Sequence, residues 1–402
     1  MFSVRRHDPA IVAPDKNPAR FIKPQGWRGC LWSVGNDVYR FLDRDGRLGV
    51  ARTVRIAVGV CLAMWASLLA AATVDAAPRP TQDPIQLTIG GGLAESAAFR
   101  WSSALAEIVS RPPGLPDCDP TAACGVPNVV AGAQTYDDSA SLLKALLEGR
   151  IATAVMPANP VFGAHCAAQA GTPAALLSIL KVLYRQPLYI VVRSVIPAVV
   201  RPRDWAGKTL VTGVTGTDSE LLTDALLDAY GVSRTRLKIL RLPPAQALAA
   251  LRGGAASIGI FLGHVYDRSI SGLIDQGFTL MSLPDSPERA NVLNRLPVFE
   301  VGAIPAGTYA GVPATSTLAQ PMVWVAGPAF DNRLAGKLVA DVSEPHNMSR
   351  LAELVGQIPA VPEGLAFARL PAPLAEGAAE FAAKQRAPID IIACPPTVGR
   401  SR

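Results

Sequence analysis

Three segments of this chain place glycine, hydroxyl and carboxylate residues where a strand would run into a helix. They are Gly90-Gly91-Gly92-Leu93-Ala94-Glu95-Ser96, Gly132-Ala133-Gln134-Thr135-Tyr136-Asp137-Asp138-Ser139 and Gly213-Val214-Thr215-Gly216-Thr217-Asp218-Ser219-Glu220. Backbone N–H groups at a helix start have no partner within the helix, and the helix dipole favours negative charge there. Such loops can hold a carboxylate or similar anion without covalent chemistry. In the third loop, Thr217 as N-cap and Glu220 three residues on form a capping-box pattern. Catalytic signatures are absent from the sequence: there is no G-x-S-x-G, no H-E-x-x-H and no phosphate-binding P-loop. Asp137-Asp138 are adjacent carboxylates at a helix start, where capping is their ordinary work. The chemistry indicated is binding, not catalysis, and no cofactor is called for.

The surrounding pattern supplies elements to position these loops. Short apolar runs (IQLTIGGG, VPNVVAG, ATAVMP, LLSILKVL, LYIVVRS, KTLVTGV, LKILRL, SIGIFLG, FTLMSLP) alternate with helical stretches at 95–111, 138–150, 215–231, 244–252 and 265–276. Ala98, Trp101, Leu105 and Ile108 share one face of the first helix. This βαβα order predicts an α/β protein with mostly parallel sheets flanked by helices. In open sheets of this kind ligands gather at the carboxyl ends of the strands.

Charge and length narrow the class further. The chain has 402 residues, 50% hydrophobic and 17% charged, with a net charge of +6. Of that, +5 precedes Ala77, so the remaining 326 residues are almost neutral, with 27 basic and 26 acidic side chains. A nucleic-acid surface would need its basic excess on the folded part. Residues 56–72 carry no charge, follow Arg52 and Arg55, and precede the small-residue run TVDAAPRP. This is the order of a secretory signal, with cleavage expected after Ala76; an uncut membrane anchor is the alternative. Residues 1–55 are either a basic cytoplasmic leader or the product of a start placed too early.

Export agrees with the cysteines. Four lie beyond the leader: Cys118, Cys124, Cys166 and Cys394. An even number in an oxidising compartment favours disulfides. Cys118 with Cys124 would staple one loop and leave Cys166 for Cys394, though three pairings are open. No metal site is expected, because no second close Cys pair or His cluster accompanies them.

Taken in order, the motifs resemble the TAXI branch of the TRAP-transporter periplasmic solute-binding proteins. The resemblance rests on IGGGLAESAAF, AGAQTYDDSASLLKALLEGRIATAVM, LYRQPLYIVVRS, DWAGKTLVTGVTGTDSE and IPAGTYAG, and runs from about Ile85 to about Leu351. It implies a two-lobed type II periplasmic-binding-protein fold. Lobe 1 would combine 84–193 with 303–385, lobe 2 would be 194–302, and 386–402 would be a tail. Hinges would lie near Arg193-Ser194 and Gly302-Ile304. A monomer would close on a small, carboxylate-bearing organic ligand and dock on TRAP permease membrane subunits. Alternatives are a membrane-anchored sensor or scaffold, or the binding protein of an ABC importer. The ligand would meet Gly91, Gly92 and Ser96 in the first loop, Gln134 and Tyr136 in the second, and Asn159 after ATAVMP. Gly216, Thr217 and Ser219 would hold its carboxylate. His264 would face the cleft, Tyr184 and Tyr309 would wall it or pack in the core, and Arg193 would clamp a carboxylate or bridge the lobes. The chain departs from the family pattern at Ser96–Phe99, at Gln134-Thr135-Tyr136 and at Asp218, where glycine is usual. Those departures imply a smaller ligand, or one with a basic or hydroxylated part.

Overall fold

The computed structural model describes residues 83–115, 124–194 and 201–396. The expectations for the leader, the apolar segment 56–76 and Cys118 lie outside these residues. No helix among the described residues is long and apolar enough to cross a membrane.

The chain begins with β1 (Ile85–Gly91), α1 (Ala97–Val109), the two-residue strands β2 (Ser110–Arg111) and β3 (Val126–Pro127), and β4 (Val129–Thr135). The run VPNVVAG is thus two strands, divided at Asn128, whose φ of 68° breaks the extended backbone. Then come α2 (Ser139–Leu147), β5 (Thr153–Pro157), α3 (Ala158–Ala167) and the long β6 (Ser178–Arg193). A second series follows: β7 (Thr209–Thr212), α4 (Asp218–Ala229), β8 (Lys238–Arg241), α5 (Pro244–Arg252), β9 (Ile258–Leu262), α6 (Arg268–Ile274), β10 (Phe278–Leu280) and α7 (Pro287–Arg295). The chain returns through β11 (Glu300–Ile304) and β12 (Thr315–Ala326) to α8 (Ala335–Ser343), α9 (Pro345–Val355) and α10 (Glu376–Lys384).

The strands lie in the order β3-β2-β4-β1-β5-β12-β6-β9-β7-β8, with β10 beside β6 and β11 beside β12. β4, β1 and β5 are parallel, as are β9, β7 and β8; the pairings of β12 and β6 that join the two sets are antiparallel. The fold is therefore mixed α/β, with helices on both faces of each set. α1, α8 and α9 close one face of the first set around Trp101, Leu105, Trp324 and Leu338, while α2 and α3 cover the other. α4 and α7 pack on one face of the second set and α5 and α6 on the other.

The two sets are joined through β6 and β12. The runs 176–183 and 188–194 are one continuous strand, β6, not two. Up to Pro187 it pairs with β12, and from Leu188 it pairs with β9. β12 behaves likewise, pairing with β11 from Thr315 to Ala319 and with β6 and β5 beyond. The change of partner falls at Gln186-Pro187 on one strand and Gln320-Pro321 on the other, and the two glutamines stand opposite each other. Proline has no N–H to continue a ladder, so each strand can leave one sheet and join the next there. Residues 303–318, expected in lobe 1, pack with the second set: Ile304, Tyr309 and Val312 share a core with Tyr189 and Val191.

Cys166, at the end of α3, is joined to Cys394 with a Cα–Cα distance of 5.4 Å. Cys124 is also disulfide-bonded. The Cys166–Cys394 bridge spans 228 positions of sequence and fixes the C-terminal segment to the first lobe. Replacing both Cys166 and Cys394 by serine is expected to cost about 2–4 kcal/mol, the usual worth of a long-range disulfide. Urea denaturation of the double variant beside the oxidised parent checks this, and an unchanged midpoint would contradict it.

Candidate functional site

Strand register sets the geometry of the cleft. Gly91 lies beside Thr135, Gly90 beside Ala154, and Met322 beside Pro157. The carboxyl ends of β4, β1 and β5 therefore form a row that continues into Gln320 and Gln186 on the crossing strands. From the second lobe, the loops after β7 and β9 form the other wall.

The first loop is built for close approach. A Cβ on Gly91 would stand 2.7 Å from the Cα of Phe99 and 2.7 Å from Ser102 Oγ, so only glycine lets the first turn of α1 rest on the strand end. Ser102 Oγ donates to the carbonyl of Gly90 at 2.9 Å. Ser96 caps α1, its Oγ accepting from the Phe99 N–H at 3.1 Å, and Gly92 lies directly against it. The second loop docks on the first through the Tyr136 N–H, which donates to the carbonyl of Gly92 at 3.4 Å. Gln134 is exposed; Tyr136 is half-buried with its ring near Gly90, and its hydroxyl is buried without a partner among the described residues. Asp138 caps α2, accepting from the Ser141 N–H at 2.6 Å, and that hydrogen bond holds its carboxyl below the usual range.

The third loop uses its own side chains as ligands. The Gly216 N–H, expected to meet a bound carboxylate, donates to Glu220 Oε2 at 2.8 Å, and Arg241 binds the other oxygen of Glu220. Thr217 Oγ1 accepts from the Glu220 N–H at 3.4 Å and donates to the carbonyl of Val214 at 2.7 Å. Ser219 Oγ accepts from the Leu262 N–H at 3.2 Å. All three expected carboxylate holders are thus engaged within the second lobe.

Asp218 instead crosses the cleft. Its Oδ1 accepts from Asn159 Nδ2 at 2.7 Å and its Oδ2 from Gln320 Nε2 at 3.0 Å. Gln320 Nε2 also donates to Gln186 Oε1 at 3.1 Å. Burial pushes the Asp218 carboxyl above its usual range, while the hydrogen bonds from Gln320 and Asn159 pull the other way. One acidic side chain of the second lobe is therefore held by amides of the first lobe and the crossing strands. Asn159 was named from sequence; Gln186 and Gln320 were missed. Their signal was present: each is a polar residue before proline inside an otherwise apolar run.

The remaining candidates serve the framework. Tyr184 is buried in the first core and stacks on Trp101 with ring centroids 5.6 Å apart. Arg193 lies at the far end of β6, donates to the carbonyl of Leu251 at 2.7 Å and covers the Phe278 ring. It closes the C-terminal end of α5, where a cation is favoured, and both of these contacts lie within the second lobe. Tyr309 is buried in the second lobe, accepts from the Asp267 N–H at 3.0 Å and donates to the Tyr189 hydroxyl at 3.0 Å. Burial, ahead of the neighbouring Asp267, pushes the Tyr309 hydroxyl up to about 12. Tyr189 in turn donates to the carbonyl of His264 at 2.9 Å. This relay fixes the loop after β9, with His264 Nδ1 near the Val265 carbonyl and Nε2 4.0 Å from Asp267 Oδ2. Beneath it a cavity of about 200 Å³ opens between Thr217, Ser219, Phe261, Asp267 and Ser269. No group of His, Cys, Asp and Glu suited to a metal occurs among the described residues.

The model of the NMT1-like family matches residues 124–382. Among solved structures, the chain is similar to the periplasmic aliphatic sulphonate binding protein SsuA of Escherichia coli. The identity is 17%, over 69% of this chain and 80% of that one, with a TM-score of 0.41. It is also similar to XAC2383 of Xanthomonas citri bound to ATP, at 12% identity over 69% and 90%, with a TM-score of 0.44.

The Asp218 charge gives a pH signature. Its carboxyl is raised above the ordinary 3.8, so the folded protein holds this proton more tightly than the unfolded chain. The stability from that proton is full below about 3.8 and is lost as pH climbs through the folded value. Asp341, pushed up to about 6 by burial first, adds a contribution of the same sign. Asp218→Asn is expected to be more stable than the parent at pH 8, with the difference shrinking toward pH 4. Denaturation midpoints of both proteins at pH 4, 6 and 8 test this; a variant less stable at pH 8 would show the charge to be compensated.

Proposed function

We infer that this chain, which belongs to the NMT1-like family, is an exported solute-binding receptor that closes two lobes around a small organic ligand. The observation carrying this reading is the Asp218 bridge. Two lobes joined by paired strands meet, at the carboxyl ends of their β-strands, through a polar contact that a modest rotation would make or break. The crossing at Gln186-Pro187 and Gln320-Pro321 supplies the hinge. A ligand touching both walls interacts fully with the closed form alone, so it shifts the open–closed balance toward closure. An acid group on the ligand is served by the first loop, at Gly92 and Ser96, because the amide of Gly216 is already taken by Glu220.

The closed form would dock on a membrane transporter. The motifs of the TAXI branch make TRAP permease subunits the proposed partner, and an ABC importer is the alternative. The compartment is the periplasm, with 56–76 removed as a signal. The disulfide between Cys166 and Cys394 supports an oxidising compartment.

Thermal unfolding of the purified protein against acidic, neutral and basic amino acids, dicarboxylates, sulfonates and amines tests the reading. Ligand at 100 times its Kd should stabilise by about 2.7 kcal/mol. In a folded part of about 320 residues that raises Tm by about 4 °C. A folded protein that responds to no class would count against a receptor and favour a scaffold.

A further inference from the structure

We propose that the cleft selects a ligand carrying a cationic nitrogen, an ammonium or guanidinium, which pairs with the Asp218 carboxylate and the side-chain carbonyl of Gln320. The inference rests on the receptor reading and adds the ligand's charge.

Asp218 is a half-buried carboxylate whose hydrogen-bond partners, Asn159 Nδ2 and Gln320 Nε2, are neutral amides. A carboxylate has about four lone-pair positions, so two amide donors leave acceptor capacity free. Arg241, beside Asp218, is paired with Glu220, and Arg185, beside Gln186, is paired with Glu300. A second observation converges on the same place. Gln320 is fully buried, and its Oε1 has no hydrogen-bond partner among the described residues. Its amide orientation is set, because Nε2 donates to two acceptors, Asp218 Oδ2 and Gln186 Oε1. An unfilled acceptor and an unneutralised carboxylate therefore belong to one hydrogen-bonded pair of side chains. Both ask for a donor, and the carboxylate also asks for positive charge.

The same wall offers an anion little. The Gly216 amide donates to Glu220 and the Thr217 hydroxyl to the Val214 carbonyl, so neither is free for an anion, and Asp218 would repel a ligand carboxylate beside them. A ligand nitrogen donating to Asp218 and Gln320 would satisfy both orphan acceptors and neutralise the charge. It would do so only while Gln320 and Asp218 remain in contact, which is the closed arrangement.

The test is calorimetric titration of agmatine and putrescine, and separately of succinate and methanesulfonate, into the full chain and into Asp218→Asn and Gln320→Leu. The cationic probes are expected to bind the parent, to bind Asp218→Asn at least about tenfold more weakly, and to bind Gln320→Leu more weakly as well. The anionic probes are expected to give no heat. Thermal unfolding of each unliganded variant confirms the fold, and Gln320→Leu serves should Asp218→Asn fail to fold. If the anions bind and the amines do not, the receptor reading stands and this inference falls. Equal binding of amines to the parent and to the folded variants overturns it too. Silence from all four probes counts against the inference and weakens the receptor reading with it.

Discussion

The antiparallel pairing of β6 with β12 is the constraint on which the rest of the molecule depends. Both strands are buried along almost their whole length, and both serve two sheets in turn. Trp324, Val323 and Val325 on one and Val182, Ile179 and Tyr184 on the other anchor them in the first lobe. Leu188, Ile190 and Leu318 anchor them in the second. Burying such side chains contributes about 1.5–3 kcal/mol each, so both ends are held firmly, while at Pro187 and Pro321 between them the backbone has no N–H to give the ladder. Glu300 of β11, bound by Arg185 and by Arg369 Nε at 3.3 Å, ties the lobes on the β11 side of the hinge.

The loop after β7 satisfies its own helix start. A helix start with glycine and hydroxyls is a ready anion site. Here Glu220 folds back onto the Gly216 amide and Arg241 balances it, so the second-lobe loop is satisfied without a ligand. The adjacent carboxylate, Asp218, is thereby left to face the opposite lobe. A side chain of α4 meets Asn159 at the start of α3 across 59 positions of sequence, and Gln320 across 102.

That sequence distance explains what could be read in advance and what could not. Five of the helices and most strands were legible because apolar period and caps are local: Asp138 and Thr217 cap where their types and positions indicated, and Ser96, read as a ligand residue, caps α1. The single strand β6 was not legible, since Arg185-Gln186-Pro187 interrupts its apolar pattern as a turn would. Only its pairing with β12 shows that the interruption is a change of partner. Tyr184 and Arg193 carry ligand-like chemistry but serve core and helix end, because contacts with Trp101 and Leu251 decide their environment. Asp218 was visible as a departure from the family pattern, yet its partner Gln320 was hidden in a strand whose neighbours no local rule supplies.

The energetics of closure follow from the composition of the bridge. Taking a carboxylate out of water costs several kcal/mol even after relaxation. Hydrogen bonds to a charged acceptor return about 1.5–3 kcal/mol each. Two such bonds, from Asn159 and Gln320, therefore come close to cancelling the cost without exceeding it by much. A bridge of that kind gives the unliganded protein little net preference for the closed state. Moving a two-state balance from 1:99 to 99:1 takes about 5.5 kcal/mol of differential binding. A strongly favourable internal bridge would close the cleft permanently, and an apolar one would leave no charge to be answered. The neutral-amide setting of Asp218 leaves its charge answered by two hydrogen bonds rather than by a cationic side chain.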